Sequence, residues 1–498
     1  MADRIIVIGA GMGGLAAAID LARQGRSVTV VDQAPGPGGK MRQIVVNGAG
    51  IDAGPTVFTM RWVFDALLQD AGTSVDAELK LVPAHVLARH AWTGEAGGGT
   101  LDLFADEDES ADAIGRFAGA RDAQGYRAFC ARAADIFTTL KPSFIEDQRP
   151  NPAELVRRVG RLDAMLRTSP FSTLWQALGQ HFHDPRLRQL FGRYATYCGS
   201  SPVKAPATLM LVAHVEQAGV YRVVGGMAAV ARALQRVAER LGANFQFGTA
   251  VDAILTSGGR VSGVRLADGA DIPANAVVYN GEVSALGTGL LGDGVRRAAP
   301  VTPRPERSLS AVTWCARTRV SGFPLLHHTV FFPNDYEREF STIFRDRGVR
   351  ADPTVYICAQ DRGDPQDPTP VDAERLLVLI NAPPDGDVRP MDDTMRRSLA
   401  ARTHAMLQGC GLHIDGGLVQ DATITTPAEW NDLFPATGGA LYGRANHGSM
   451  ATFARPGAVS KVPGLYLAGG SVHPGPGIPM ATLSGRLAAA RLLADAAT

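Results

Sequence analysis

The chain has 498 residues, 45% of them hydrophobic, and its 49 basic and 49 acidic side chains cancel to zero net charge. This length exceeds what one compact core usually supports and predicts two domains, while the balanced charge argues against nucleic acid as a partner. The five cysteines lack C-x-x-C spacing, which argues against a zinc or other metal site and against a disulfide framework, and indicates a reducing compartment.

The N-terminal stretch predicts a βαβ unit. An apolar run over 4–8 is typical of a fully buried strand, a helix is predicted over 15–23, and a second strand over 27–31. The turn between the first strand and the helix fits G-x-G-x-x-G, and an acidic residue follows the second strand. This register favours a dinucleotide site over a glycine-rich turn that binds nothing.

Each residue of the pattern has its own physical role in such a site. Gly9 permits the tight turn, Gly11 lets backbone N–H groups approach a pyrophosphate, and Gly14 lets helix and strand pack closely. The helix N-terminus favours an anion. Asp32, eighteen positions after Gly14, is placed to accept hydrogen bonds from an adenosine ribose.

The following region is predicted to be mostly helical. Short strands are predicted at 79–82 and 101–104, and an acidic run ending at Ser110 is interpreted as a helix N-terminus with Ser110 as its cap. Apolar periodicity predicts helices over 62–71, 155–166, 174–182, 186–197 and 205–219.

Strands return near residue 220, so the nucleotide domain is predicted to be discontinuous. The dipeptide at 268–269, Asp-Gly, is typical of a hairpin turn. A helix is predicted over 228–241, with strands over 220–224, 242–249, 251–255, 261–266 and 277–279. A second sheet is predicted from strands over 308–313, 329–332, 355–359 and 376–380, before a helix over 392–407.

The C-terminal tail predicts a strand over 464–470, a glycine- and proline-rich loop over 471–480, and a helix from 481. Such a helix N-terminus would face an anionic or electron-rich ligand. No Ser–His–Asp or paired-carboxylate pattern stands out, so we interpret His473 as a loop-forming or ribityl-side polar contact rather than a catalytic group, and no catalytic residue is assigned.

Two further motifs indicate which dinucleotide binds. Gly-Gly-Lys at 38–40 and Asp-Ala-Gly-Pro-Thr at 52–56 resemble signatures of the FAD-dependent amine-oxidase and carotenoid-desaturase superfamily. The resemblance implies FAD, with the first motif along its diphosphate and the second close to the flavin. The implied FAD contacts are Gly9, Ala10, Gly11, Gly14, Asp32, Gln33, Gly39, Lys40, Met41, Gly54, Pro55, Thr56, Val251, Gly469, Gly470, Ile478, Pro479 and Met480.

Nearly the whole chain resembles the bacterial carotenoid desaturase family of the phytoene-desaturase type. Two motifs narrow the resemblance from the amine-oxidase superfamily to this family. They are Tyr-Cys-Gly-Ser-Ser-Pro at 197–202 and Gly-Gly-Met at 225–227. Residues 54–60 and 473–480 are similar to the 1-hydroxycarotenoid 3,4-desaturases, also called hydroxyneurosporene or methoxyneurosporene desaturases. Phytoene desaturases usually have three glycines where this chain has Gly-Pro-Gly at 475–477, which argues against phytoene itself.

The resemblance implies an α/β fold with two parts. A discontinuous Rossmann-like FAD-binding domain would comprise residues 1–85, 220–285 and 421–498. A mixed, largely helical substrate domain would comprise 86–219 and 286–420. The implied reaction introduces the C3–C4 double bond into an acyclic 1-hydroxycarotenoid of the spheroidene and spirilloxanthin pathways, with non-covalent FAD as hydride acceptor.

The resemblance also implies partners and a location. Besides the carotenoid, we expect oxygen or a quinone as electron acceptor. The N-terminus enters a strand within four residues and no run of 18 apolar residues occurs, so neither a signal peptide nor a membrane span is expected. Because the substrate is almost insoluble in water, we expect a cytoplasmic protein that binds the inner or intracytoplasmic membrane peripherally, through an apolar patch within 111–219.

Three alternatives remain open from the sequence. The first is a phytoene desaturase. The second is another flavin oxidase of the superfamily, such as an amine or porphyrinogen oxidase, although their aromatic cage and second-domain motifs are not found. The third is a prenyl-lipid escort protein, which has this fold without flavin chemistry. The intact motifs at 38–40 and 469–480 argue against the escort function.

Overall fold

The structure, a computed structural model, describes residues 4–94, 97–160, 168–169, 171–420 and 422–497. The strands within these residues are β1 (Arg4–Ile8), β2 (Ser27–Val31), β3 (Gln43–Val46), β4 (Ala49–Asp52), β5 (Leu81–Pro83), β6 (Val86–Trp92), β7 (Thr100–Phe104), β8 (Tyr221–Val223), β9 (Asn244–Gln246), β10 (Val251–Ser257), β11 (Arg260–Leu266), β12 (Asp271–Pro273), β13 (Ala276–Tyr279), β14 (Ser310–Thr318), β15 (Val320–Ser321), β16 (His328–Phe332), β17 (Val355–Ala359), β18 (Glu374–Ala382), β19 (His413–Ile414), β20 (Ala422–Thr425) and β21 (Leu465–Leu467).

The α-helices of the same residues are α1 (Met12–Ala22), α2 (Arg61–Asp70), α3 (Val75–Glu78), α4 (Glu107–Ala118), α5 (Ala120–Leu140), α6 (Pro152–Val159), α7 (Leu174–His181), α8 (Pro185–Gly192), α9 (Leu211–Gln217), α10 (Ala228–Arg240), α11 (Val283–Thr288), α12 (Tyr336–Phe344), α13 (Asp393–Gly409), α14 (Pro427–Leu433) and α15 (Ile478–Ala496). None of these helices combines the length and the apolar character that crossing a membrane requires.

A five-stranded parallel sheet holds the N-terminal motif, in the order β21-β13-β1-β2-β9. Side chains alternate across a strand, so Ile5 and Val7 enter the core beside α1, while Ile6 enters the core beside the three-stranded sheet β10-β11-β12. Because both faces are covered, residues 5–8 of the strand are all apolar, as is typical of parallel sheets. The predicted βαβ unit and the Asp-Gly turn between β11 and β12 are confirmed.

The second large sheet has seven strands, in the order β20-β14-β18-β17-β16-β6-β7. It contains all four strands that were predicted to form a second sheet. β6 and β7 join it from before the helical region, and β16 pairs with β6 in parallel while the other pairs are antiparallel. β20 also joins it, although this strand lies beyond residue 420.

Several predicted helix boundaries are wrong. α4 is capped by Asp106, whose carboxylate accepts from the N–H of Glu109, and not by Ser110. The Ser110 hydroxyl instead bonds the backbone of Phe104 on the preceding strand. α1 and α15 each begin three residues earlier than predicted, because glycines and a proline in the first turn hid the helical pattern.

Other predicted elements differ in type. The helix over 186–197 ends at Gly192 and continues as a 3₁₀ helix (Arg193–Cys198), and the helix over 205–219 is divided into a 3₁₀ turn (Ala207–Met210) and α9. β8 pairs with β5 outside the parallel sheet, because Gly219 and Gly225, both with positive φ, turn the chain at its two ends. Part of the helix predicted over 155–166 lies outside the described residues.

Candidate functional site

The first glycine turn joins β1 to α1 through backbone contacts that exclude side chains. Gly9 has a φ of +96°, which L side chains disfavour. A Cβ on Gly14 would overlap the carbonyl oxygen of Gly9, and a Cβ on Gly11 would lie 2.8 Å from Asn280 Nδ2. No side chain caps the N-terminus of α1, so this end of the helix fits an anion such as a pyrophosphate.

The Asp32 carboxylate ties β2 to two neighbouring turns. It accepts hydrogen bonds from the N–H groups of Ala10 at 2.6 Å and Ala34 at 2.7 Å. Burial raises the pKa of Asp32, and these two hydrogen bonds oppose that shift. Thr249 donates its N–H to the Asp32 carbonyl at 3.0 Å, and Val251 begins β10 two residues later. Contact of Asp32 and Val251 with a nucleotide stays a prediction.

The second glycine turn lies directly against the first. A parallel bridge joins the two turns, and a Cβ on Gly39 would lie 3.3 Å from the Cα of Gly11. Lys40 forms an ion pair with Glu282 and donates to the carbonyl of Leu441 at 2.7 Å. Since Glu282 already neutralises this ammonium group, a diphosphate at Lys40 would compete with that carboxylate.

Two neighbours of this turn were also predicted to contact the cofactor. Met41 is buried and donates its N–H to the carbonyl of Gly38 at 3.0 Å. The Gln33 side chain donates to the carbonyl of Leu433 at 3.3 Å. Both residues therefore help to hold the turns in place, and their contact with a cofactor stays a prediction.

The motif at 52–56 connects the glycine turns to α10. A Cβ on Gly54 would overlap the carbonyl oxygen of Lys40, so the two backbones pack directly. The Asp52 carboxylate accepts from the N–H of Met227 at 2.5 Å, at the N-terminus of α10. A Cβ on Gly226 would overlap the same carboxylate. The contact explains why glycine precedes Met227, since a larger residue at 226 would occupy the position of the Asp52 carboxylate.

The C-terminal loop brings a second uncapped helix N-terminus to the same glycines. α15 starts at Ile478 with Pro479 in its first turn, and no side chain caps it. The N–H of Gly469 donates to Ser484 Oγ at 3.2 Å. A Cβ on Gly13 would lie 2.9 Å from that same nitrogen. The loop and the first helix thus meet through backbone atoms.

A buried arginine supports this loop from behind. Arg455, only 1% exposed, donates to the carbonyls of Tyr442 at 3.0 Å, Gly470 at 3.1 Å and Arg444 at 2.6 Å. Burial lowers the pKa of Arg455 to about 10. Met480, in the first turn of α15, packs against the main core. Sequence reasoning missed Arg455, because its partners are backbone carbonyls that leave no sequence pattern.

His473 links the loop to the helical region. Its Nε2 lies 2.9 Å from the carbonyl of Asp147, and its ring meets the edge of Phe144 at 4.7 Å between centroids. Burial lowers the pKa of His473 to about 4, so the imidazole is neutral. This arrangement agrees with a loop-forming contact.

Asn280 is a second residue that sequence reasoning missed. It follows β13 directly, its Nδ2 donates to the carbonyl of Gly9 at 3.1 Å, and a Cβ on Gly469 would lie 2.9 Å from its Oδ1. One amide side chain therefore lies between the first turn and the C-terminal loop. Its place at the carboxyl end of a buried parallel strand was the signal that could have identified it.

Thr56 connects this motif to the seven-stranded sheet. Its hydroxyl lies 2.6 Å from the hydroxyl of Tyr356 on β17, which lies 2.7 Å from Nδ1 of His328 on β16. Burial holds the pKa of His328 well below its usual value, so the imidazole is neutral. We call these three side chains the hydroxyl network.

A cysteine and a second histidine lie beside this network. The Cys358 thiol and one imidazole nitrogen from each of His327 and His328 lie within 4.8 Å of one another. Burial raises the pKa of Cys358 and lowers that of His327, so both are uncharged. They meet only because Cys358 stands opposite His328 in the β16–β17 pair.

A buried ion pair lies in the helical region at the Tyr-Cys-Gly-Ser-Ser-Pro run. Arg193 lies 3.4 Å from a Glu216 oxygen, and the hydroxyls of Tyr194 and Tyr197 donate to the same carboxylate at 2.6 and 2.7 Å. Both charged side chains are 6% exposed. The two hydroxyls add hydrogen bonds to the carboxylate, as a buried charge requires.

These contacts fit a dinucleotide cofactor. Three glycine-bearing segments pack through backbone atoms, and the uncapped N-termini of α1 and α15 both adjoin Gly13 and Gly469. Such helix ends stabilise negative charge on a phosphate or on an electron-rich ring. The residues present therefore fit FAD, the group implied by the sequence motifs.

Comparison with known proteins agrees with this assignment. Residues 12–493 match the family model described as flavin-containing amine oxidoreductase. The chain is 53% identical to the hydroxyneurosporene desaturase of Rubrivivax gelatinosus, over 99% of this chain and 93% of that protein. It is 31% identical to the 1-hydroxycarotenoid 3,4-desaturase of Flavobacterium sp. (strain P99-3), over 98% of each chain.

A solved structure shows the same fold at low identity. Wild-type putrescine oxidase bound to putrescine superposes with a TM-score of 0.59 at 15% identity, covering 100% of both chains. At this identity the likeness concerns the fold alone.

Proposed function

Because the chain belongs to the flavin-containing amine oxidoreductase family and, within it, to the carotenoid desaturases, it is a FAD-dependent oxidoreductase, and we propose that it introduces the C3–C4 double bond into acyclic 1-hydroxycarotenoids of the 1-hydroxyneurosporene type. The observation that carries this proposal is the 53% identity, over 99% of the chain, to a protein named hydroxyneurosporene desaturase. The motifs at 54–60 and 473–480 support the same substrate class. The reaction belongs to spheroidene or spirilloxanthin biosynthesis in a phototrophic bacterium.

The protein's own part in this reaction is to bind, orient and exclude water. FAD, when bound, supplies the acceptor for the hydride that desaturation removes. The turns around Gly11 and Gly39 and the end of β2 at Asp32 would hold its nucleotide part. The N-terminus of α15 would face its ring system and favour negative charge there. The seven-stranded sheet and the helical region would hold the polyene, and positioning the chain supplies much of the rate.

The test uses the flavin-loaded protein and three carotenoids supplied separately. We expect 1-hydroxyneurosporene to show the absorption red-shift of one added conjugated bond, neurosporene to react much more slowly, and phytoene hardly at all. Anaerobic incubations with oxygen or a quinone added back identify the electron acceptor, for which both remain proposals. Efficient multi-step conversion of phytoene, without preference for the hydroxylated substrate, would place the chain among the phytoene desaturases.

The cofactor is bound without a covalent link. No Cys, His or Tyr lies in a motif that we associate with flavin attachment. Acid precipitation should therefore release all flavin into the supernatant. Flavin absorbance that stays with the precipitated protein would contradict this part of the proposal.

We propose the same assignment of functions to the two parts of the fold that the sequence predicts. Residues 1–85, 220–285 and 421–498 bind FAD, and residues 86–219 and 286–420 bind the carotenoid. Membership of the two sheets supports this division, since β1, β2, β9, β13 and β21 share the parallel sheet. β20 is an exception, because it belongs to the seven-stranded sheet.

The enzyme meets its substrate at a membrane surface, as a cytoplasmic protein bound peripherally to the inner or intracytoplasmic membrane. Exposed apolar side chains in the helical region support this location. Phe171 is 84% exposed and Val156 is 42% exposed. Exposed apolar side chains that insert at the boundary between headgroups and acyl chains attach a peripheral protein to a bilayer.

Liposome flotation tests this location with a matched pair of variants. Phe171→Ser should move protein from the liposome fraction to the soluble fraction. Val371→Ser, which changes a side chain that is 90% exposed but lies outside 111–219, should float like the parent protein. Parent protein that stays soluble while it converts lipid-held carotenoid would contradict membrane binding.

A further inference from the structure

The hydroxyl network is a polar group set among apolar residues. Thr56 is 9% exposed and His328 is 6% exposed, and Tyr356 is partly buried against two hydrophobic clusters. Polar atoms in such surroundings are stable only when they are hydrogen-bonded. Three hydrogen-bonded side chains in these apolar surroundings therefore either stabilise the fold or bind a ligand.

Counting protons shows that the network has one donor more than it uses. The two hydroxyls and the neutral imidazole carry one proton each, and the network contains two hydrogen bonds. If His328 donates from Nδ1, the spare proton belongs to Thr56. If Tyr356 donates to Nδ1, the spare proton is on Nε2 of His328. In either direction, one end of the network has a donor, and the other end an acceptor, that these two hydrogen bonds do not use.

The network adjoins the segment that packs on the second glycine turn. Thr56 lies two residues after Gly54, whose backbone packs on Lys40 beside the glycine turns. In a 1-hydroxycarotenoid, C1 and C3 are two bonds apart, roughly 2.5 Å. When the C3–C4 bond is over the cofactor, the hydroxyl must therefore bind beside the cofactor and not at a distant end of the chain.

We infer that Thr56, Tyr356 and His328 bind the tertiary 1-hydroxyl of the carotenoid and so determine which carbon–carbon bond lies over the cofactor. This inference rests on the proposed function and names the residues behind its substrate preference. They act as positioning and specificity residues. A carotenoid without the hydroxyl leaves the spare donor unpaired in an apolar site, which such sites penalise strongly.

Tyr356→Phe tests the inference, because it removes one hydroxyl and keeps the ring. We measure dissociation constants for 1-hydroxyneurosporene and neurosporene from quenching of tryptophan fluorescence, and kcat/KM for both. The preference for the hydroxylated carotenoid should fall at least about tenfold in both measurements, with flavin content unchanged. Tyr126→Phe is the matched control, because its buried hydroxyl contacts Gln217 in the helical region and the preference should not change.

Each outcome either supports or overturns the inference or the proposed function. A Tyr356→Phe protein that keeps the parent's preference overturns the inference, as does a parent protein that binds both carotenoids equally. If Tyr356→Phe does not fold, Thr56→Val, which keeps the shape of the side chain, takes its place with the same expected loss. A parent protein that binds the hydroxylated carotenoid selectively but does not desaturate it contradicts the proposed function and leaves the inference intact.

Discussion

The two large sheets place their functional residues in opposite ways. Around the parallel sheet, contacts depend on missing side chains, since a Cβ on Gly14 or Gly54 would overlap a neighbouring carbonyl. Around the seven-stranded sheet, contacts depend on side chains that are present, as where Thr56 meets Tyr356 across 300 positions of sequence. A site formed by backbone atoms can therefore be recognised from the local spacing of glycines. A site formed by side chains brings together residues that are distant in the sequence.

The largest expected effect concerns the backbone site. Gly11→Val would place a branched side chain toward Asn280, whose Nδ2 lies 2.8 Å from an ideal Cβ, in the turn that we propose binds the pyrophosphate. We expect complete loss of bound flavin, measured from the visible spectrum of the purified protein. Gly36→Val is the control, because nothing lies within 4 Å of a Cβ there. Stoichiometric FAD in the Gly11 variant would show that the turn does not bind the cofactor.

The next effect concerns a buried charge in the helical region. Glu216→Leu leaves Arg193 buried without its carboxylate and should destabilise the fold by about 4 kcal/mol, measured as a lower urea midpoint. Glu154→Gln, which changes a carboxylate that pairs at the surface with Arg157 and Arg158, should leave the midpoint unchanged. Equal midpoints for both variants would mean that the buried pair adds nothing to stability.

The third effect depends on pH and concerns the buried carboxyl group of Glu339. Burial raises the pKa of Glu339 from 4.5 to about 7, so the folded state keeps a proton that the unfolded state loses near pH 4.5. The stability from this group is complete below pH 4.5 and is lost as pH rises through about 7.

Glu339→Gln, which cannot ionise, should therefore gain stability relative to the parent protein by about 3 kcal/mol between pH 4.5 and 7, at about 1.4 kcal/mol per pKa unit. Melting temperatures across this range measure the difference. A constant difference between the two proteins at all pH values would contradict the raised pKa.

The smallest effect concerns the N-terminal cap of α4. Asp106→Ala removes the cap of α4 and should cost about 1 kcal/mol, measured as a small drop in melting temperature. Asp108→Ala, in the same acidic run but without a capping bond, should change little. If the two variants behave alike, general charge at the helix end, and not the cap, stabilises α4.

The acidic run also shows where local prediction fails. Five residues from Asp106 to Ser110 include several possible caps, and their order alone does not choose between them. The hydroxyl of Ser110 is occupied by the backbone of Phe104, a contact set by how β7 meets the helix. Asp106 therefore caps the helix, and this choice was made by packing.

The sequence by itself determined the βαβ unit, the glycine turns, the strands of the second sheet and the family, because these depend on short-range periodicity and on glycine spacing. Only the tertiary structure decided that Asn280 binds the first glycine turn and Arg455 the C-terminal loop, that Arg193 pairs with Glu216, and that Tyr356 joins Thr56 to His328. Those side chains lack a local pattern, since a buried polar group is satisfied by whichever partner the fold brings within about 3 Å.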